Sequence, residues 1–249
     1  MSRYSFTVTG IERKAAVQII TKVTNQASTY AGPPSFAYVI GNITIDRDGI
    51  IEAPVDEALE NILTALSKNG VIADVGFNIT MKDHTGVSLR NLVNIISSKE
   101  KLLNRALGRN GEIIPGALVE AINAASIVGV EDFDNAIKGL ESGGINFDFN
   151  NMIIKYGFYN PDMNVDTIKA YEVLSILIDE QSRKLKHASY RKKEVDNEKY
   201  AMRCWLLRLG MIGVEYKTSR KILLGKLTGN CSFRTEEALK VAISNRKTE

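Results

Sequence analysis

Apolar positions recur with two periods along this chain, and the alternation between them predicts the order of elements. Arg3 to Thr9 places Tyr4, Phe6 and Val8 on one side of an extended segment, the pattern of a half-buried strand. Thr9-Gly10-Ile11-Glu12 has the spacing of a capping box, and Ile11, Ala15, Val17, Ile19, Ile20 and Val23 continue as a helical stripe. Gly32-Pro33-Pro34 is a rigid break. Beyond it, Phe36 to Ile40 and Ile43 to Ile45 flank Gly41-Asn42, a link suited to the positive backbone angles of a two-residue hairpin. Asp46-Arg47-Asp48-Gly49 predicts a further turn. Asp56 to Lys68 reads as a helix through Leu59, Ile62, Leu63 and Leu66, closed by Asn69-Gly70, and Val75 to Met81 returns to a strand. Residues 1–82 are thus expected to form a small α+β unit.

A second unit, residues 83–188, opens with a long helix from Val87 to Leu107. Leu89, Leu92, Val93, Ile96, Leu103 and Leu107 keep helical spacing, and Gly108 is its expected C-cap. Two shorter helices fit residues 115–141. Ile145 to Phe149 and Met152 to Tyr156 surround Asn150-Asn151, both tolerant of the left-handed conformation that a tight hairpin turn needs. Asn164 to about His187 is again helical. Residues 189–249 form the third part: a charged stretch from Ser189 to Asn197 that is a linker or a helix extension, then helices over Glu198–Leu209 and Val214–Leu227 joined by Gly210-Met211-Ile212-Gly213, with Gly229 just past the second. A last short helix is expected around Glu236 to Ile243. The expected fold class is α+β, two small sheet-and-helix units with a basic helical C-terminal segment.

Composition adds limits rather than an identity. With 249 residues, 44% apolar and 24% charged, the chain can bury a core, and no apolar run reaches the roughly 18 residues of a membrane span. The first ten residues lack the apolar stretch of a secretory signal, and two cysteines, Cys204 and Cys231, make no disulfide framework; the reading is a cytoplasmic protein without membrane contact. The net charge of +3 conceals an uneven distribution. Arg183 to Arg234 carries fourteen Lys or Arg against four acids, so this segment is +10 and residues 1–182 are −7. Such a field attracts phosphate-bearing ligands or an acidic partner, or it is a solvated face that keeps the protein soluble.

The familiar catalytic and cofactor patterns are missing. His84 and His187 stand in no zinc-ligand spacing, and Cys204 and Cys231 have no second pair. Asp46-Arg47-Asp48-Gly49 lacks the later ligands of a calcium loop. Gly225-Lys226 is followed by Leu227 where a phosphate loop needs a hydroxyl, and neither a GxGxxG nor a GxSxG is present. No cofactor is expected, and no catalytic set stands out. Two constellations remain. Lys217, Arg220 and Lys221 share a helix face beside Tyr216, with Arg203 and Arg208 on the preceding helix, and opposed across the bend they could clamp a phosphate. The alternatives are a DNA-reading helix-turn-helix, or basic stems lying over Ile222, Leu223 and Leu224. Tyr30, Phe36 and Tyr38 around the Gly-Pro-Pro break offer aromatic faces or, more simply, core packing.

The run from Asp196 through Tyr200, Trp205 and Gly210, continuing through Glu215-Tyr216-Lys217 and Arg220 to Leu224 and on to Leu227-Thr228-Gly229 and Ser232-Phe233, resembles the C-terminal signature of a family from prophages and mobile elements of Gram-positive bacteria often labelled "virulence-related protein". Arg13-Lys14, Gly32-Pro33, Phe36-Ala37-Tyr38, Thr44-Ile45-Asp46 and the helix from Ser98-Lys99 to Gly108 are similar to that family too. The resemblance covers about half the chain and implies an accessory protein acting in a bacterial host cell, with countering of host immunity as its class-level role. The expectation is a non-catalytic binder with Arg203, Arg208, Tyr216, Lys217, Arg220 and Lys221 as ligand residues. Its partner is an anionic ligand, a nucleotide or other phosphate-bearing molecule, or else a host defence protein. A DNA-binding regulator, with nucleic acid as its partner, is the alternative.

Overall fold

A computed structural model describes residues 2–162 and 164–233. The described chain is α+β, with eight helices and one eight-stranded antiparallel sheet in the order β2-β3-β4-β5-β1-β6-β8-β7. It divides into two compact units, Met1–Asp83 with Ser142–Ile176, and His84–Glu141 with the chain from Leu177 onward.

The first unit holds the whole sheet: β1 (Arg3–Thr9), β2 (Ser28–Tyr30), β3 (Tyr38–Ile40), β4 (Ile43–Ile45), β5 (Ile51–Ala53), β6 (Val71–Thr80), β7 (Ile145–Asp148) and β8 (Ile153–Tyr156). Its helices are α1 (Arg13–Thr24), α2 (Glu57–Ser67) and the first part of a later helix that begins at Val165. The cross-strand partners Ala53, Tyr4, Phe77, Tyr156 and Ile145 form one continuous row through five strands, and all are buried. Alternate positions carry Glu52, Ser5, Asn78, Lys155 and Asn146, the polar face of the same sheet. Leu59, Ile62, Leu63 and Leu66 of α2 are fully buried, each contributing about 1.5–3 kcal/mol. Asp56 caps this helix by accepting the Ala58 amide.

Three expectations about this unit are corrected. The hairpin at residues 145–156 does not found a second sheet: β8 pairs with β6, Phe77 opposite Tyr156 and Ile79 opposite Ile154. The reason is an edge. β6 is ten residues long and β1 takes only one side of it, so its other row of amides and carbonyls needs a partner, while an isolated hairpin is marginal in water. Gly76 makes the approach possible, because a Cβ there would lie 2.8 Å from the Tyr156 carbonyl oxygen. The hairpin loop is also longer than expected. Asp148 opposes Ile153, leaving residues 149–152 as the loop, and the left-handed residue is Met152 rather than either asparagine. Asp148 instead accepts from the amide and side chain of Asn151. The capping box at Thr9 is likewise absent: α1 begins after Glu12, without a side-chain cap, and the Thr9 hydroxyl donates to Val71. The Gly41-Asn42 hairpin and the Asp46 turn form as expected.

The second unit is helical. It contains α3 (Gly86–Leu107), α4 (Gly116–Ala124), α5 (Val130–Ile137), the C-terminal part of α6 (Val165–Lys184), α7 (Glu198–Leu209) and α8 (Lys217–Gly225). Its centre is α3, whose Leu89, Leu92, Val93, Ile96 and Leu103 are fully buried. Gly86 opens α3 against Gly129, where a Cβ would fall 1.9 Å from the carbonyl oxygen, so no other residue fits. The helix expected at residues 236–243 lies outside the described residues.

Candidate functional site

Two buried amides on α3 set the path of the chain after α6. Asn91 donates from Nδ2 to the Leu185 carbonyl at 2.7 Å and accepts the Ala188 amide at 2.9 Å. Asn94 donates to the Ala188 carbonyl at 3.0 Å and is paired with Asn123. These side chains satisfy backbone groups that no regular element provides for.

Residues 189–197 then run without regular structure along α3. Lys192 Nζ lies 2.5 Å from Glu100 Oε2, and Glu100 Oε1 accepts the amides of Ile113 and Ile114. Lys101 pairs with Glu194 at 2.9 Å. Asn197 ends the segment by capping α7 through the Tyr200 amide, and the buried Glu198 takes Arg105 and the Thr228 hydroxyl.

α7 is two-faced. Met202, Trp205, Leu206 and Leu209 are buried. Tyr200, Cys204 and Arg208, spaced four apart, lie along the opposite stripe and line a cavity of about 520 Å³ together with Lys99 and Leu102 of α3 and Lys193 of the extended segment. Within it, Lys99, Lys193 and Arg208 converge. Burial, then the Arg208 and Lys193 charges, hold the Lys99 ammonium below the ordinary lysine range. Among the described residues neither Lys99 nor Lys193 has an ion pair, and Arg208 donates only to the Cys204 carbonyl of its own helix, at 3.2 Å. The neighbouring lysines Lys101 and Lys192 do have carboxylate partners. A cavity of this size is within the range that holds small ligands, and its unmatched positive charge suits an anion.

Of the six residues expected to bind, the structure brings only Arg208 to this cavity. Arg203 is exposed elsewhere on α7, and Lys217 and Lys221 are exposed on α8. Tyr216 is the residue preceding α8, half-buried, with no capping hydrogen bond from its side chain. Arg220 is engaged within its own hairpin of helices. Its two terminal nitrogens donate to the carbonyls of Met211 and Gly213, each at 2.8 Å, and so fix the loop between α7 and α8. Lys99, Lys193 and Tyr200 were not singled out by the sequence. The charge runs Ser98-Lys99-Glu100-Lys101 and Arg191-Lys192-Lys193 carry the signal, but it becomes legible only when α3 and the segment after α6 are placed side by side.

One buried cluster was also not foreseen. His84 Nδ1 is 3.0 Å from Ser88 Oγ and His84 Nε2 is 3.0 Å from Asp179 Oδ1, while Arg183 reaches Asp179 Oδ2 at 3.0 Å. The residue types are those of a hydrolase triad, but Ser88 and Asp179 occupy the opposite ring nitrogens from that arrangement. The serine hydroxyl accepts the Thr85 amide and donates to the Thr85 carbonyl as part of the α3 cap, and it is buried. The cluster therefore ties the start of α3 to the end of α6.

The exposed Tyr30 and the half-buried Tyr38 form a ring pair at the sheet edge, with centroids 5.0 Å apart and Arg13 over Tyr38, rather than packing in the core. Among the described residues no group of three or more His, Cys, Asp and Glu is placed to hold a metal ion, and no helix is long and apolar enough to cross a membrane. Compared with protein-family models, curated proteins and solved structures, the chain matches none of them.

Proposed function

We propose that this chain is a non-catalytic binder of a small phosphate-bearing anion, which it holds in the α3–α7 cavity through Lys99, Lys193 and Arg208. The observation that carries this reading is the meeting of three cations around one cavity, none of them in an ion pair among the described residues, while adjacent lysines are paired. Unpartnered like charges raise the free energy of the folded protein, and a bound phosphate would remove that repulsion and accept charge-assisted hydrogen bonds from all three groups. In a protein of the kind the resemblance implies, the pocket would withhold an anionic signal from host defence. Thermal unfolding with inorganic pyrophosphate tests the core of the reading: the midpoint should rise with concentration in wild type and stay fixed in a Lys99→Gln, Arg208→Gln variant.

The DNA-reading alternative has one observation in its favour, the exposure of Lys217 and Lys221 on α8. Against it, seven residues separate α7 from α8 where a helix-turn-helix uses about three or four, and the Arg220 fork is already occupied. A duplex reader loses affinity by orders of magnitude between low and moderate salt. Gel shifts at low salt with no retarded duplex would remove it.

A further inference from the structure

The cavity offers more than charge, and its lining bears on the class of anion. Arg208, in the last turn of α7, reaches back one turn so that its Nε donates to the Cys204 carbonyl, and Lys99 and Lys193 line the cavity with it. Tyr200 lies on the same stripe of α7, one turn before Cys204. Leu102, Val195 and Ala201 add apolar lining. Asp196 also lines the cavity, and among the described residues it makes no ion pair or hydrogen bond, in contrast to Glu194 and Glu198. The lining thus combines positive charge with an aromatic ring, apolar contacts and an uncommitted carboxylate acceptor.

Resting on the anion-binding reading above, we infer that the ligand is a nucleoside phosphate. Its phosphates lie at Lys99, Lys193 and Arg208, its base packs on Tyr200, and its hydroxyl or amino groups donate to Asp196. Each part of such a molecule meets a complementary group: guanidinium and ammonium donors for phosphate oxygens, a ring face for a flat base, a carboxylate for hydrogen-bond donors. Neither pyrophosphate nor a sugar phosphate uses the Tyr200 ring.

Cys204 lies between Tyr200 and Arg208 on the lining stripe and is partly exposed, so its alkylation reports occupancy directly. In full-length protein carrying Cys231→Ser, the rate of Cys204 alkylation is measured against rising concentrations of ADP, GDP, CDP and inorganic pyrophosphate. At least one nucleoside diphosphate should protect at a concentration roughly tenfold or more below that needed for pyrophosphate. Tyr200→Leu should abolish that difference while leaving pyrophosphate protection unchanged, and Tyr200→Phe should restore it. Equal protection by pyrophosphate and all three nucleotides would overturn the nucleoside assignment and leave the anion-binding reading standing. Protection by none of the four would overturn both.

Discussion

Lys192 donates to Glu100 at 2.5 Å, and through that bond an otherwise irregular segment is fastened to a buried carboxylate on α3. Glu100 also receives the amides of Ile113 and Ile114, so one side chain organises two stretches of chain that lack regular structure. Residues 192–196 of the irregular segment line the cavity, so that lining depends on this bond.

Glu100→Gln is therefore expected to lower stability by about 2 kcal/mol, since it removes the charge from a set of buried charge-assisted hydrogen bonds. Urea unfolding followed by circular dichroism measures this. A midpoint unchanged from wild type would show that residues 189–197 are not held by this contact.

Arg220→Lys should act on stability and not on ligand binding. The planar fork reaches two carbonyls at once, and an ammonium group on a flexible stem replaces at most one of these bonds well. The expected loss is about 1 kcal/mol, seen as a lower melting temperature with anion affinity unaltered. A weakened affinity at full stability would return Arg220 to the binding residues.

Much of the fold was legible in local pattern. The Gly41-Asn42 turn, the start of α2 at Asp56 and the left-handed Gly108 at the end of α3 are determined by residues within a turn of one another. The pairing of β8 with β6 was not legible, because it joins Ile154 to Ile79 across a long stretch of intervening sequence and depends on an open strand edge rather than on neighbours. The site divided in the same way. Arg208 stood out within a basic helix pair, whereas Lys99 gains its meaning only from Lys193, 94 residues later, which the buried amides of Asn91 and Asn94 and the Glu100 carboxylate bring beside it. Arg220 misled for the converse reason: helical spacing placed it beside Lys217 and Lys221, but the carbonyls of its own preceding loop were nearer.

Lys99→Met should raise the melting temperature at neutral pH while weakening anion binding by about tenfold. In the folded protein Lys99 titrates below its ordinary 10.5, so the unfolded chain keeps the proton to higher pH. Its unfavourable contribution is present at neutral pH and is relieved as pH rises through the folded value toward 10.5. The stability advantage of Lys99→Met over wild type should shrink across that alkaline window. It should not exceed about 1 kcal/mol, because the side chain remains partly solvated. A variant less stable than wild type at pH 7 would contradict the repulsion argument.

Ser88→Ala should lower stability by about 1 kcal/mol, because the Thr85 amide and the buried His84 Nδ1 lose their shared partner, and a fluorophosphonate probe should leave Ser88 unlabelled in the native protein. Labelling at Ser88 would require the cluster with His84 and Asp179 to open as a reactive site.

Whether Lys99, Lys193 and Arg208 together hold a phosphate-bearing anion is measured by isothermal titration with inorganic pyrophosphate at low ionic strength. Binding to wild type should be saturable, retained within about twofold in Arg220→Lys and weakened by roughly a hundredfold or more in Lys99→Gln, Arg208→Gln, since loss of two charge-assisted contacts amounts to about 3 kcal/mol. Absence of saturable binding to wild type, or equal affinity in the double variant, would contradict that role for the three cations.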